Sequence, residues 1–326
     1  MATVQEEQQK PLRETIDVKA RSGEHVYQPN KSVHSGAVID VKDGYEVIDC
    51  KSCGFRHVIP IPTPEQLSKL YAEDFYATEK PDYFKHVEED KEWWDLNYAS
   101  YYRLFTEHVK GKRLLEIGSG PGYFLKFGKE AGWDVAGFEP SRLAAEYSRK
   151  FGLNVINGPF DLPTARKLGD FDIVFMNLVI EHLADPVSLL KDVKEVLSKD
   201  GALCVISPND YNPLQKILQE KMGFQPYWVA PPQHINYFDF RSITTLLERL
   251  DYEIMDKSST FPMEFFLLSG DNYVGNDTLG RACHGKRKML EKNMYTHGNA
   301  YLDNFYRSLA RDSIGREFIV LAKPRR

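Results

Sequence analysis

An α/β fold, doubly wound around a mostly parallel sheet, follows from three features of the sequence. Between Arg113 and Ser258 short apolar runs alternate with helical patterns, the rhythm of strand–helix crossovers. Several of these runs, such as Phe171-Asp-Ile-Val-Phe-Met176, are almost continuously apolar, as strands covered on both faces must be. The run Arg113-Leu-Leu-Glu-Ile-Gly-Ser-Gly-Pro-Gly-Tyr-Phe-Leu125 sets a glycine turn between a strand and the start of a helix. Backbone N–H groups and the positive end of a helix dipole face a ligand at such a junction. Gly118, Gly120 and Gly122 let the chain turn sharply there and let the ligand come close.

The length of 326 residues suits one α/β domain with additions at both ends. The net charge of −5 gives no general attraction to nucleic acid or an acidic membrane surface. The opening MATVQEEQQK lacks the apolar core of a secretory signal, and no apolar run is long enough to span a bilayer. A cytoplasmic location without membrane insertion is expected. The four cysteines, two of them in Cys50-Lys-Ser-Cys53, do not resemble a secreted disulfide framework.

In chain order, residues 1–24 are polar and mixed in charge, and are expected to form a poorly ordered tail. Residues 25–62 read as a small module, with a strand at Tyr45–Cys50, a cysteine knuckle and closing prolines at Pro60, Pro62 and Pro64. Thr63 and Pro64 then predict a helix over Glu65–Tyr71. Residues 63–110 form a helical, aromatic-rich lid or linker. Trp94, Tyr98, Tyr101, Phe105 and Val109 recur at helical spacing and predict a buried stripe. Tyr83 and Tyr102 fall off that stripe and are candidates for covering a ligand.

Residues 111–326 form the main domain. Its expected strands are Leu114–Ile117, Asp134–Phe138, Asn154–Asn157, Phe171–Met176, Ala202–Ser207, Glu253–Ser258 and Glu317–Lys323. Helices are expected at Tyr123–Ala131, Ser141–Phe151, Leu162–Leu168, Pro186–Leu197 and Arg241–Leu250. Pro208, Pro213, Pro226, Pro231 and Pro232 break this rhythm, so 208–236 reads as an irregular excursion over the top of the sheet. Residues 262–310 read as a helical insertion.

Two ligand classes use this architecture. A dinucleotide site wants a third glycine where Tyr123 stands. Here a carboxylate, Glu116, ends the strand directly before the glycines. It would repel a pyrophosphate and suits a ligand bearing an ammonium group. S-adenosylmethionine offers that ammonium, a ribose and no phosphate. Glu139, at the end of the second strand, can accept hydrogen bonds from ribose hydroxyls in either class.

Four stretches, LLEIGSGPGYF from Leu114, VAGFEPS from Val135, FDIVFMNLVIEHLADP from Phe171 and LCVISPN from Leu203, resemble the motifs of class I S-adenosylmethionine-dependent methyltransferases. The resemblance covers 113–258. It implies a Rossmann-like, seven-stranded sheet in the order 3-2-1-4-5-7-6, with the last strand antiparallel. It places Glu116, Gly118, Ser119, Gly120, Gly122, Tyr123, Glu139, Pro140, Phe160, Asp161, Asn177 and Leu178 around the cofactor. One departure stands out. Asp161 lies two positions beyond the usual adenine-binding acid, which leaves the Phe160 backbone as the alternative contact.

Methyl transfer is an in-line displacement governed by positioning, with a general base where the acceptor is a hydroxyl or a carbon acid. His182 follows the fourth strand, with helix bracing as its competing role. His234 and Tyr237 lie in Pro231-Pro-Gln-His-Ile-Asn-Tyr-Phe238, an irregular stretch over the expected cleft. Cys50 and Cys53 have half a zinc-ribbon pattern. Some methyltransferases acting on nucleotide-linked sugars carry a similar cysteine-rich module. No second cysteine pair is present, only His25, His34 and His57 nearby, which favours a metal-free remnant over zinc. The expected acceptor is a small polar molecule, a sugar or nucleotide-linked sugar. RNA or protein methylation, a non-catalytic binding module and a nicotinamide-dependent enzyme are the alternatives, and oligomeric state is not encoded legibly.

Overall fold

The computed structural model describes residues 22–29, 31–69 and 87–326. Tyr83 and most of the expected tail lie outside them, but the tail's last residues open a strand. The chain first forms β1 (Ser22–Tyr27), β2 (Ser32–Lys42), β3 (Tyr45–Cys50) and β4 (Arg56–Ile59), each antiparallel to the next. Helices α1 (Pro64–Lys69) and α2 (Lys91–His108) follow.

The main domain then alternates β5 (Arg113–Ile117), α3 (Tyr123–Glu130), β6 (Asp134–Glu139), α4 (Arg142–Ser148), β7 (Asn154–Asn157), α5 (Leu162–Leu168), β8 (Phe171–Asn177), α6 (Pro186–Lys194) and β9 (Leu197–Pro208). After α7 (Pro213–Met222), β10 (Asn236–Tyr237) and α8 (Phe240–Arg249) come β11 (Tyr252–Ser259), α9 (Glu264–Leu268), α10 (Asp277–His297), α11 (Asn299–Arg311) and β12 (Glu317–Pro324). The 208–236 stretch is thus more regular than expected, since it holds α7 and reaches β10. Asn212 starts α7 by accepting from the N–H groups of Leu214 and Gln215.

The large sheet runs β11-β12-β9-β8-β5-β6-β7, which is the order 3-2-1-4-5-7-6, and β12 is antiparallel to both its neighbours. The apolar runs are divided residue by residue between its two faces. Leu115, Ile117, Val174, Met176, Leu203 and Val205 pack with α6 and α8 on one side. Leu114, Ile173, Phe175, Ala202, Cys204 and Ile206 pack with α2 and α3 on the other.

The small sheet is completed from a distance. Strand β10 pairs with β4, so its order is β1-β2-β3-β4-β10. Trp228, Val229, Ile235 and Tyr237 pack with Tyr27, Val47 and Val58. The small sheet therefore takes four strands from 22–59 and its last edge from β10, far along the chain.

On the opposite flank, buried Glu291 of α10 accepts from Trp93 Nε1 and the Tyr306 hydroxyl, and Arg287 Nε donates to it at 3.0 Å. These bonds join α2, α10 and α11. Glu291→Ala should leave Arg287 buried and unpaired, a loss of about 3–5 kcal/mol. Urea denaturation with an unchanged m-value checks this, and a loss below about 1 kcal/mol contradicts it.

Candidate active site

The glycine turn at the carboxyl end of β5 is held from below. Gly118 and Ser119 donate their N–H groups to the Phe138 carbonyl at 2.8 and 3.0 Å. Gly118 has φ of +75°, and a Cβ there would stand 2.6 Å from Val179 Cγ2. The loop after β8 therefore crosses close to this turn, and Leu178 within it adopts φ of +56°, an uncommon conformation for a branched residue.

Glu139 carries the turn's shape. Its Oε2 accepts from Gly120 N–H and its Oε1 from Ser141 N–H, both at 2.7 Å. Burial raises its carboxyl to about 6 against those two bonds. Each oxygen keeps a further lone pair. Asn157 Nδ2 bridges the carbonyls of Glu139 and Pro140, which fixes the chain as it leaves β6.

Glu116 is different. It is buried, and its Oε2 has no hydrogen-bond partner among the described residues. Burial, reinforced by the Glu139 charge, pushes its carboxyl well above the usual carboxylate range. Ser119 Oγ, buried beside it in the turn, is likewise without a partner. Asn177 ends β8 half-buried and Leu178 is exposed.

Four expected site residues are placed elsewhere. Tyr102 is buried between α2 and α3, stacked on Phe124, with its hydroxyl donating to the Phe124 carbonyl at 3.2 Å. It belongs to the core because α2 is apolar over a wider arc than the stripe from Trp94. The Tyr123 ring leaves the turn for α4, its hydroxyl 3.0 Å from that of Tyr147. The exposed Asp161 carboxylate caps α5, accepting from Thr164 N–H at 2.9 Å, and hydrogen bonds from the Thr164 side chain and then its backbone hold its pKa below the ordinary value. The Phe160 ring packs against Phe138, and its expected contact, made through the backbone, does not depend on where the ring lies. Tyr237 is fully buried, and its hydroxyl donates to the His234 carbonyl and accepts from Ala230 N–H. It braces the 230–237 loop from inside and presents nothing to an acceptor.

His182 and His234 do come together. Their rings meet edge to face with centroids 5.0 Å apart. His182 Nδ1 lies 2.6 Å from the Gln233 carbonyl, and because a carbonyl only accepts, Nδ1 carries the proton. His182 Nε2 lies 3.7 Å from Glu181 Oε1, while Glu181 Oε2 accepts from Ser207 Oγ at 3.0 Å. Glu181 is a residue that the sequence analysis does not single out. Burial raises its carboxyl to about 8.

A second missed acid, Asp210, lies just beyond the end of β9. It is buried, neither carboxylate oxygen has a hydrogen bond among the described residues, and Arg316 Nη1 is 3.6 Å away. Burial raises its carboxyl to about 7. Buried Glu264 stands nearby, accepting from Gln215 Nε2 and the Tyr227 hydroxyl. An apolar stretch ending in Asn-Asp after the fifth strand is the sequence signal that marked this position.

A family profile described as a methyltransferase domain matches residues 91–257, just over half the chain. The chain belongs to this family, and by fold and family it is a class I, S-adenosylmethionine-dependent methyltransferase. An uncharacterized protein of Methanocaldococcus jannaschii is 27% identical over 181 residues, 54% of this chain and 83% of that one. A ubiquinone biosynthesis O-methyltransferase of Actinobacillus pleuropneumoniae is 26% identical over 34% of this chain and 57% of its own length. A tRNA U34 carboxymethyltransferase of Campylobacter lari is 30% identical over 35% of this chain and 41% of its own. The chain thus spans about half the length of these two enzymes.

The Glu181 carboxyl gives a test of the buried acid. Its folded pKa of about 8 lies above the ordinary value of 4.5. The stability it contributes is complete below the unfolded pKa and is lost as pH rises through the folded one, with a slope of up to about 1.4 kcal/mol per pH unit. Glu181→Gln should flatten that decline, read from urea midpoints across the window. An unchanged slope contradicts the assignment.

Proposed function

We propose that the protein transfers the methyl group of S-adenosylmethionine to a hydroxyl of a small polar acceptor, a sugar or nucleotide-linked sugar. The observation that carries the cofactor reading is the orphaned, buried carboxylate oxygen of Glu116 at the glycine turn. An ammonium beside it satisfies that oxygen and restores its charge. Glu139 offers its remaining lone pairs to the ribose hydroxyls, with Ser119, Pro140, Asn177, Leu178 and Phe160 bordering the nucleoside and its tail.

The acceptor oxygen attacks the methyl carbon opposite the sulfur. The C–O bond forms as the C–S bond breaks, and the bonding pair stays on sulfur as a neutral thioether. The hydroxyl proton passes to His234, whose ring is held against His182. Such a base contributes about 10²–10⁴ in rate, with the rest from alignment.

The acceptor reading rests on the polar groups beyond β8 and β9. Buried Asp210, Glu264 and Gln215 and half-buried Tyr227 offer acceptors and donors that a polyhydroxylated molecule can satisfy. The net charge of −5 gives no general attraction to a long phosphate backbone, which disfavours RNA.

Calorimetry with S-adenosylhomocysteine in buffers of different ionisation enthalpy tests the cofactor site. Binding should release protons as Glu116 ionises, and Glu116→Gln should abolish the release and weaken binding at least about tenfold. No binding, or binding of NAD instead, contradicts the reading. With labelled S-adenosylmethionine, transfer to nucleoside-diphosphate sugars should exceed transfer to tRNA, and His234→Gln should slow it about a hundredfold while leaving cofactor affinity intact. Transfer to tRNA alone contradicts the acceptor class.

A further inference from the structure

The small sheet brings four metal-ligating side chains to one point. His34 on β2, Cys50 and Cys53 around the knuckle and His57 on β4 present ligand atoms that all lie within 4.8 Å of one another. His34 Nδ1 is 3.1 Å from His57 Nε2, 3.2 Å from Cys53 Sγ and 3.8 Å from Cys50 Sγ. With Zn–S of about 2.3 Å and Zn–N of about 2.0–2.1 Å, the edges of a tetrahedral site are about 3.3–3.8 Å. The spacing is close to that of a Cys₂His₂ shell.

The surroundings agree with that chemistry. His57 Nδ1 lies 2.9 Å from the Val58 carbonyl, which can only accept, so Nδ1 holds the proton and Nε2 turns its lone pair inward. His34 Nε2 lies 2.8 Å from Ser32 Oγ, leaving Nδ1 on the inside. Ring nitrogens anchored in this way are the usual outer partners of metal-bound histidines. Gly54 adopts φ of +77° and donates its N–H to the Cys50 carbonyl at 2.9 Å, which closes the knuckle. Cys50 and His57 are buried. Two thiolates and two neutral imidazoles balance a divalent cation, so the assembled centre carries no net charge into that interior.

The site is tied to the 231–238 loop. His57 pairs with Asn236 and Arg56 with Tyr237. Val58 N–H donates to the Ile235 carbonyl at 2.9 Å, and Ile235 N–H to the Glu181 carbonyl at 2.8 Å. The Phe55 ring packs on Phe238 at 4.7 Å, and Arg249 donates to the Cys53 carbonyl at 2.7 Å.

We propose that His34, Cys50, Cys53 and His57 bind one structural zinc ion, and that this ion fixes the β4–β10 junction and with it the loop carrying His234. The ion forms a closed shell without an open position, so it supports the site mechanically and takes no part in methyl transfer.

Mass spectrometry of the metal in full-length protein purified without chelator should give about one zinc per chain. Cobalt exchanged into the wild type should show thiolate charge-transfer bands and the intense visible bands of a tetrahedral centre. Cys53→Ala should lose the metal, and His34→Cys should keep it. Hydrogen exchange should be faster at Val58 and Ile235 in the metal-free protein, while calorimetric affinity for S-adenosylhomocysteine stays within about twofold, because the turn at Gly118 belongs to the other sheet. Wild-type protein without stoichiometric metal, an octahedral cobalt spectrum, or a Cys50–Cys53 disulfide in thiol titration overturns the metal site. Unchanged exchange at Ile235 on metal removal overturns the link to the loop.

Discussion

The peptide of Ile235 is gripped from both sides, and the arrangement above the large sheet depends on that grip. Its carbonyl accepts from β4 of the small sheet and its N–H donates to Glu181 at the turn after β8. Asn236 adds two side-chain bonds, to the carbonyls of Ile180 and Leu183. Buried backbone groups left unpaired are costly. Moving the 231–238 loop would therefore release bonds on two sheets at once. The contact between His182 and His234 follows from this clamp, since one histidine belongs to the gripped loop and the other to the turn that grips it.

A second theme is the burial of acids without full compensation. Glu116, Glu181 and Asp210 are each buried with at least one oxygen lacking a hydrogen bond among the described residues, and burial raises all three carboxyls. A structure selected for stability alone would pair or remove such groups. They are gathered at the carboxyl ends of β5, β8 and β9, where an open α/β sheet binds its ligands. Glu139 shows the contrast, with two backbone N–H groups that hold it in place whatever occupies the cleft.

The large sheet was legible because burial on both faces leaves a strong mark on sequence. Ile173-Val-Phe-Met176 and Leu203-Cys-Val-Ile206 have no polar side chain to offer either face, and alternate residues divide between the two cores. The strand order came from the motif resemblance. What escaped notice depends on register or on a few backbone bonds. Strand β10 is two residues long and has no pattern of its own. Tyr102 and Tyr237 looked available because neither helical spacing nor loop composition reveals that a hydroxyl is already satisfied. The cysteine pair looked incomplete because no second cysteine pair accompanies it, and only the pairing of β2, β3 and β4 turns His34 and His57 toward it.

The most direct test of the account is a crystal structure with S-adenosylhomocysteine. Its amino group should lie against Glu116, its ribose hydroxyls on Glu139, and its sulfur should face a space bordered by His234 and Asp210. A ligand whose amino group avoids Glu116, or whose sulfur faces away from His234, contradicts the assignment of cofactor and acceptor sides.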